Sequence, residues 1–325
     1  MSKAIVTGGA GFIGSHLAKR LADDGYQVKI IDNFISGKME NLVKCDKNKI
    51  TLVKMDLTNR AKVMSEIRDA EVIFHFAADP DVKSSGENPD SHYKNNIEAT
   101  YNVLEACRLN KVKRLVFASS SVVYGEAKVM PTPEDYAPLD PISIYGATKL
   151  ACEAMINGYV RSFGLQALVF RPANIIGSGS THGVILDFIK KLKANPLKLE
   201  ILGDGTQQKS YLHVSDFVEA VMKSYQHFKD NSLDLEIYNA GSFDSTNVKE
   251  IAQVVIDEMK LKKVKIEFTS GVAGGRGWVG DVKIMLLAIS KLTNLGWRPS
   301  LNSREAVKLA AQELLVGEDL SKPSR

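Results

Sequence analysis

The stretch Thr7-Gly8-Gly9-Ala10-Gly11-Phe12-Ile13-Gly14 decides the fold of this chain. It closes a short apolar run, Ala4 to Thr7, and leads directly into Ile13 to Ala22, which has the apolar spacing of a helix. Glycines at positions 8, 11 and 14 let the turn tighten, let the backbone approach a pyrophosphate and let the helix pack close to the strand. The stretch therefore predicts a strand, a glycine-rich turn and a helix that together bind a dinucleotide.

Asp32 supports this interpretation, because it lies eighteen residues after Gly14 at the end of the next apolar run. A carboxylate at that place suits the two hydroxyls of an adenosine ribose and repels a 2′-phosphate, which favours NAD over NADP. The alternative is that Asp32 only ends a strand or caps a turn, and Lys38 stands nearby. Asp56 follows the third apolar run. It is expected either to contact the adenine or to cap the next helix.

Working outward, apolar runs too continuous for half-exposed hairpins alternate with helix-length segments. The runs are Ala4–Thr7, Val28–Ile31, Ile50–Val53, Val72–Phe76, Leu115–Ala118 and Leu168–Phe170, and the helical segments are Ile13–Ala22, Asn59–Ile67, Ile97–Cys107 and Gly146–Ser162. This order predicts an α/β fold with a doubly wound parallel sheet of the Rossmann type.

After Asn174 the pattern changes to closely spaced Gly, Ser, Thr and His residues and shorter elements. We expect a Rossmann domain that binds NAD over residues 1–173 and a smaller, interleaved α/β domain, mainly substrate-binding, over 174–325. The run Leu235 to Tyr238 resembles a strand, so a segment near 211–241 is expected to return to the first domain.

The composition is 44% hydrophobic and 25% charged, which is typical of a globular protein and excludes a disordered chain. The formal net charge of +4 is mild, and the basic group near Lys190 is typical of a solvated helix face, so no nucleic-acid partner is expected. No signal core and no apolar run near the roughly 18 residues of a membrane span occurs, so we expect a soluble, cytoplasmic protein. The three cysteines lie far apart, which predicts reduced thiols and no metal site.

The segment Tyr145-Gly146-Ala147-Thr148-Lys149 carries the candidate chemistry. A Tyr and a Lys four residues apart lie on one face of a helix, so the ammonium is expected to lower the pKa of the phenol toward working pH. Upstream, the strand ending at Ala118 opens into Ser119-Ser120-Ser121, where a hydroxyl is able to orient a reacting oxygen. Of these three serines, Ser120 is the candidate.

At this point the chain resembles the extended short-chain dehydrogenases, and among them the nucleotide-sugar 4-epimerases. The resemblance rests on the glycine pattern, Asp32, His75-Phe76-Ala77-Ala78, Asn96, the Ser120 segment, Tyr145 with Lys149, and several motifs from Arg171-Pro172-Ala173-Asn174 to Gly296-Trp297-Arg298-Pro299. It implies catalysis by Ser120, Tyr145 and Lys149, and NAD contacts from Gly8, Gly11, Phe12, Ile13, Gly14, Asp32, Asn33, Asp56, Leu57, Ala77, Asn96, Tyr145 and Lys149. His75 is given no chemical role.

The resemblance further implies epimerisation of UDP-glucose and UDP-galactose at C4 through a 4-keto sugar, with Tyr145 as the base and Ser120 polarising the reacting oxygen. Relatives that remove water or carboxylate are similar to one another in having a carboxylate just after the catalytic hydroxyl, where this chain has Ser121 and Val122. Two alternatives stay open: a net nucleotide-sugar dehydrogenase or keto-sugar reductase with exchangeable NAD(H), and a non-catalytic cofactor-sensing module.

The substrate side departs from the family pattern. Many relatives have arginines where this chain has Lys209 and Trp278, and those arginines bind the diphosphate, a planar contact that lysine does not reproduce. We therefore expect substrate contacts from Ser120, Tyr145, Asn174, Lys209 and Arg276, where Arg276 is either a diphosphate contact or a loop cation. Thr181-His182-Gly183-Val184 is similar to members that take UDP-hexoses. The segments Ile97–Cys107 and Gly146–Ser162 resemble helices that pair in a homodimer.

Overall fold

The structure is a computed structural model, and it describes residues 2–43 and 45–320. A seven-stranded sheet forms its centre, with the strand order β11-β6-β5-β4-β1-β2-β3 and every pair parallel. The strands are β1 (Lys3–Thr7), β2 (Gln27–Asp32), β3 (Ile50–Lys54), β4 (Val72–His75), β5 (Arg114–Ala118), β6 (Gln166–Pro172) and β11 (Leu235–Ala240). The expected doubly wound α/β fold is confirmed.

The helices are α1 (Phe12–Asp23), α2 (Arg60–Glu66), α3 (Pro89–His92), α4 (Ala99–Leu109), α5 (Ile144–Phe163), α6 (Val184–Ala194), α7 (Val214–Asp230), α8 (Val248–Glu258), α9 (Ser290–Asn294) and α10 (Ser303–Leu320). The shorter strands are β7 (Asn174–Ile176), β8 (Lys198–Ile201), β9 (Gln208–Lys209), β10 (Tyr211–His213), β12 (Thr246–Asn247), β13 (Lys265–Phe268) and β14 (Ile284–Met285). They form three small sheets, β10-β7, β12-β9-β14 and β13-β8.

The central strands are apolar throughout because both faces of the sheet are covered. In β1, Val6 packs into the core under α1 and α7, while its neighbour Ile5 packs into the core under α2, α4 and α5. Both side chains are at most 2% exposed. Burying one such side chain contributes roughly 1.5 to 3 kcal/mol, so a polar residue at any of these positions is costly.

A third core lies outside the sheet and joins α6, α8 and α10 through Phe188, Ile251 and Val307. The run Leu235 to Tyr238 falls within β11, which pairs with β6 at the edge of the central sheet. The division of the chain at residue 173 into two domains stays a prediction.

The expected helix Ile97–Cys107 is wrong at its start. Residues Tyr93–Glu98 form a π-helical turn, and regular α-helix begins only at Ala99. Apolar spacing does not distinguish a π turn from an α turn, because the change of one residue per turn depends on what the turn packs against.

Candidate functional site

A cavity of about 660 Å³ lies along the carboxyl ends of the central strands. In doubly wound sheets ligands bind at this edge, where the strand order reverses, here between β1 and β4. One wall is the glycine-rich turn between β1 and α1, and the opposite wall comes from residues 172–188 and 278–285. The sequence therefore brings residues from the whole chain to one site.

Two positions of the turn require glycine, because other backbone atoms lie where a Cβ would stand. Gly8 has φ +69°, and a Cβ there would stand 2.7 Å from Cα of Ala77. A Cβ on Gly14 would stand 2.1 Å from the carbonyl oxygen of Gly8. The N-terminal end of α1, with Phe12 and Ile13, therefore lines the cavity with unpaired backbone N–H groups nearby, an arrangement that suits a pyrophosphate.

Asp32 lines the cavity and is held by two backbone groups. Its Oδ2 accepts a hydrogen bond from the Ala10 N–H at 2.9 Å, and its Oδ1 accepts one from the Phe34 N–H at 2.8 Å. The carboxylate has lone pairs left for further donors, and only 7% of the residue is exposed. This fixed acceptor fits the ribose diol of NAD.

Asn33 and Asp56 are joined beside Asp32. The Asn33 side-chain amide donates to Asp56 Oδ2 at 2.9 Å, and Asp56 Oδ1 accepts from the backbone and the hydroxyl of Thr58. Burial raises the pKa of Asp56, but the hydrogen bonds from Thr58 and Asn33 outweigh it and hold the pKa below its usual value. The N-cap of α2 is Asn59, so Asp56 is not the cap of that helix.

Tyr145 and Lys149 lie on the first turns of α5, whose N-cap is Ser143. The Lys149 ammonium donates to the Ala118 carbonyl at 2.8 Å and lies 5.8 Å from the centroid of the Tyr145 ring. The hydroxyl of Ser120, just beyond β5, lies near enough to the phenol of Tyr145 to lower its pKa. All three side chains line the cavity, so the structure brings the predicted catalytic residues together.

The expected lowering of the Tyr145 pKa is wrong. Burial raises the pKa of Tyr145 to about 12, although the Ser120 hydroxyl opposes the rise. Burial also lowers the pKa of Lys149 to about 8. The Lys149 ammonium donates to the Ala118 carbonyl, and desolvation of the phenol is the largest cause of the raised Tyr145 pKa.

The other predicted cofactor residues differ in placement. Leu57 and Ala77 line the cavity with the glycines and Asp32. Asn96 is 2% exposed and is not among the lining residues; its amide donates to the Thr148 hydroxyl at 2.9 Å, and its oxygen accepts the Asp79 N–H at 2.8 Å. His75 is buried between the hydroxyls of Thr7 and Thr100, and burial lowers its pKa to about 3, so the ring is neutral.

On the wall opposite the glycine-rich turn, Asn174 and Lys209 line the cavity, and Arg276 is not among its lining residues. The Asn174 amide donates to the Ser210 carbonyl at 2.9 Å, and the Lys209 ammonium donates to Asp281 at 2.6 Å. Arg276 forms an ion pair with Glu126 across the loop that precedes Trp278. The Arg276 position as a diphosphate contact stays a prediction.

A buried polar network behind the serines was not predicted from the sequence. Glu153 forms an ion pair with Arg171 at 2.7 Å and accepts the Ser119 hydroxyl at 2.5 Å. Its position was a signal, because Glu153 follows Tyr145 by eight residues and Lys149 by four and so shares their helical face. The pairing of Lys209 with Asp281 had no such signal, since 72 residues separate them.

The described residues contain no cluster of three or more His, Cys, Asp or Glu side chains that could hold a metal ion. Within the same residues, no helix has the length and apolar character needed to cross a membrane.

Comparison with known proteins agrees with this geometry. The sequence profile of the NAD dependent epimerase/dehydratase family matches residues 4–241. The UDP-glucose 4-epimerase of Corynebacterium glutamicum is 31% identical and aligns over 91% of each chain. A crystal structure of a UDP-galactose 4-epimerase is 43% identical, with a TM-score of 0.87 over 97% of this chain and 99% of that one. The Thermus thermophilus UDP-glucose 4-epimerase, solved with NAD, is 31% identical with a TM-score of 0.84 over 96% and 99%.

Proposed function

Because this chain belongs to the NAD-dependent epimerase/dehydratase family, we propose that it interconverts UDP-glucose and UDP-galactose at C4 through a 4-keto sugar. Its cofactor is NAD. One observation carries the proposal: Ser120, Tyr145 and Lys149 line one cavity together, with the Lys149 ammonium 5.8 Å from the Tyr145 ring, and the glycine-rich turn lines the same cavity. This arrangement suits removal and return of the proton of a sugar hydroxyl while the carbon that bears it exchanges hydride with NAD.

The cofactor fits the residues that line the cavity. The glycine-rich turn and the N-terminal end of α1 would hold the pyrophosphate, and Asp32 would hold the adenosine ribose. Asn33, Asp56 and Leu57 would border the adenine, while Ala77, Tyr145 and Lys149 would border the nicotinamide end. Bound NAD supplies a hydride acceptor and then a hydride donor for the same sugar carbon.

Tyr145 would act as the proton carrier. As the phenolate, Tyr145 would take the proton of the sugar 4-hydroxyl, and the Ser120 hydroxyl beside it would orient the reacting oxygen. A phenol with a pKa near 12 keeps its proton at neutral pH, so the phenolate that acts as the base needs positive charge close by to form. Lys149, 5.8 Å from the ring centroid, would supply part of it.

The substrate nucleotide would lie on the opposite wall. Asn174 and Lys209 border this end of the cavity, and Lys209 is a cation able to contact a diphosphate. Arg276 would contribute only if its ion pair with Glu126 opened. UDP is our proposal for the nucleotide, on the strength of the relatives and of the segment Thr181 to Val184.

Water or carboxylate elimination is disfavoured by the residues around the serines. Ser121 and Val122 follow Ser120 and carry no carboxylate. The buried carboxylate nearest to them in the network, Glu153, already accepts hydrogen bonds from Arg171 and Ser119, so it is not available as a second acid or base. The second candidate function is net oxidation or reduction of a nucleotide sugar, because Ser120, Tyr145 and Lys149 serve both reactions.

The deciding experiment incubates the purified protein with UDP-galactose without added cofactor, separates UDP-glucose from the substrate and follows the absorbance of reduced nicotinamide. We expect interconversion with no net NADH, and we expect Tyr145→Phe to lower kcat by at least about 100-fold because general acid–base catalysis contributes that much. Accumulating NADH with loss of substrate would favour the dehydrogenase instead.

The control for this assay is Tyr238→Phe, since Tyr238 is a buried tyrosine in the core beneath α7, away from the cavity lining. Near-normal turnover of a correctly folded Tyr145→Phe protein would contradict the role of Tyr145.

We also propose that the protein forms a homodimer and is located in the cytoplasm.

A further inference from the structure

Trp278 lines the cavity, and the ammonium of Lys209 lies over its ring. The distance from Lys209 Nζ to the ring centroid is 5.7 Å. A cation within about 6 Å of a tryptophan centroid is attracted by the negative face of the ring. Lys209 therefore has two contacts that stabilise its charge, the Asp281 carboxylate and the indole ring of Trp278.

The indole ring of Trp278 makes this contact with its face and not with its N–H group. Nε1 of Trp278 is buried and has no hydrogen-bond partner among the described residues. Most buried indole N–H groups do have an acceptor. A hydrogen bond therefore does not account for a tryptophan at this position, whereas the contact with Lys209 supplies a reason for it.

The loop of residues 277–281 brings the ring and the carboxylate to the same lysine. Asp281 is 3% exposed, and its Oδ1 accepts a hydrogen bond from the Lys209 ammonium at 2.6 Å. Its Oδ2 accepts the Gly277 N–H at 3.2 Å, and its own N–H donates to the Trp278 carbonyl at 3.2 Å. These hydrogen bonds close the loop, so Trp278 and Asp281 hold a fixed position relative to each other.

The same loop is also fixed relative to Lys209 and to the catalytic helix. β14 begins three residues after Asp281 and pairs with β9, which places Met285 beside Lys209. Gly280 has φ +88°, and a Cβ there would stand 3.0 Å from the carbonyl oxygen of Ile142, just before α5. Backbone contacts on two sides therefore keep the ring at its place over the ammonium.

The Lys209 ammonium keeps N–H donors for a further acceptor while its position is restricted. An ammonium has three N–H donors, and the Asp281 carboxylate accepts one of them. The ring attracts the charge without accepting a linear hydrogen bond. A lysine has a long, flexible stem, and restricting that stem costs entropy when the lysine binds an anion. Two contacts that already restrict Lys209 reduce this cost.

We propose that Trp278 is a positioning residue for substrate binding: its indole ring and the Asp281 carboxylate together hold the Lys209 ammonium where its remaining N–H groups bind the diphosphate. The inference rests on the proposed function, in which a nucleoside diphosphate lies at this wall. The diphosphate takes no part in proton or hydride transfer, so the ring affects the bound substrate and the transition state alike. Loss of the ring therefore raises KM and leaves kcat unchanged.

The test is a double-mutant cycle on the affinity for UDP, measured by calorimetric titration of the full chain. Trp278→Leu is made in the wild type and in the Lys209→Met/Asp281→Asn background, where no ammonium lies over the ring. We expect Trp278→Leu to weaken UDP binding by about fivefold in the wild type and by less than about twofold in the neutral background. Trp278→Phe keeps an aromatic face without the N–H group, and we expect it to bind UDP more tightly than Trp278→Leu.

Three outcomes overturn the inference. An equal loss of affinity in both backgrounds would mean that Trp278 contacts the nucleotide itself or only packs the loop. A Trp278→Phe protein that binds UDP as weakly as Trp278→Leu would mean that the aromatic face is not what holds Lys209. A lower kcat with unchanged KM would place the effect on the reaction and not on binding. Trp278→Met replaces the leucine variant if that protein folds poorly, and the same results are expected from it.

Tryptophan fluorescence separates this inference from the proposed function. The chain has two tryptophans, and the other one, Trp297, is 2% exposed and donates to the Asp216 carbonyl at 3.1 Å, so a response that Trp278→Phe loses belongs to Trp278. We expect UDP to change the emission, because the ammonium over the ring moves toward a phosphate, and uridine to leave it unchanged. A response to GDP and not to UDP would contradict the proposed substrate and support the role of Trp278. No response to either nucleotide, or an equal response to uridine, overturns the inference, whether or not the protein epimerises UDP-galactose.

Discussion

Lys209 lines the cavity opposite the glycine-rich turn, and Asp281 neutralises its charge. The two side chains are 17% and 3% exposed, and their ion pair is 2.6 Å long. The described residues that line the cavity include no arginine, and their lysines are Lys83, Lys149 and Lys209. A diphosphate bound at this wall would therefore depend on Lys209, which would exchange part of its contact with Asp281 for a phosphate oxygen.

The double variant Lys209→Met/Asp281→Asn tests this dependence. Removing both charges avoids the buried unpaired carboxylate that Lys209→Met alone would leave. We expect the affinity for UDP to fall by about tenfold, since a hydrogen bond to a charged group contributes roughly 1.5 to 3 kcal/mol. Calorimetric titration with UDP measures the change, and the exposed pair Lys198→Met/Glu267→Gln is the matched control. An unchanged affinity would remove Lys209 from the diphosphate site.

Lys149 predicts a pH dependence of stability. Burial lowers its pKa from 10.5 to about 8, so below about pH 8 the folded protein bears the cost of a buried ammonium. Between about pH 8 and about pH 10.5 the unfolded chain binds more protons than the folded one, so the free energy of unfolding rises with pH. Over this range Lys149 of the folded protein loses its proton, and the cost of burying its charge disappears. Lys149→Met lacks this effect.

The free energy of unfolding of the wild type, minus that of Lys149→Met, should accordingly increase by about 3 kcal/mol from neutral pH to about pH 10.5. Urea denaturation of the two proteins at several pH values measures it. Parallel pH profiles would mean that the Lys149 pKa in the folded protein is not lowered.

At the scale of elements, α5 matters because it presents Tyr145 and Lys149 from its first turns. The helix starts at the Ser143 cap, whose hydroxyl oxygen accepts the Gly146 N–H at 3.1 Å, and ends at Gly164 with φ +68°. Ser143→Ala should lower the free energy of unfolding by about 1 kcal/mol, because it leaves one N–H of the first turn without an acceptor. Thermal denaturation measures the loss.

The matched control for this change is Ser143→Asp, which keeps an acceptor at the cap and should retain most of the stability. Ser143→Ala should also reduce kcat more than it raises KM, because the fraying turn carries Tyr145. Equal stability of the alanine and aspartate variants would mean that the cap does not hold the helix start.

Element positions were largely predictable from the sequence. Strands that are buried on both faces of a sheet consist of continuous apolar runs, and helices that are buried on one face have apolar residues with a period of 3.6. The run Ile50 to Val53 and the segment Asn59 to Ile67 each match a strand or helix to within one residue at either end. The π-helical turn at Tyr93 was not predictable, since its apolar spacing is that of a helix and tertiary packing sets its geometry.

The site was predictable where function imposes a local spacing, as for the glycines and for Tyr145 with Lys149. Contacts between distant segments carry no such spacing, and they decide the electrostatics: Lys209 meets Asp281 and Trp278. The raised pKa of Tyr145 belongs to the same class, because burial is a property of the folded chain and not of the motif.

At the scale of the whole molecule, the outer face of α5 is the candidate surface for a second copy of the chain. Ala147, Ala154 and Gly158 are exposed at helical spacing, and small side chains allow another helix to approach closely. The neighbouring α4 exposes Tyr101 (37%) and Leu109 (53%) beside this face. Both helices also lie against the site, since α5 carries Tyr145 and α4 lines the cavity at Ala99.

Gly158→Arg tests whether this face forms a homodimer. A Cβ at Gly158 meets no atom of the same chain within 4 Å, so the variant should fold as the wild type does, and the helix should gain stability because glycine is the poorer helix former by about 1 kcal/mol. A large, charged side chain would prevent a second helix from packing there. We therefore expect sedimentation to give a dimer for the wild type and a monomer for Gly158→Arg, while Gly317→Arg, an equally unobstructed glycine on α10, remains dimeric. If Gly158→Arg sediments as the wild type does, α5 is not the interface.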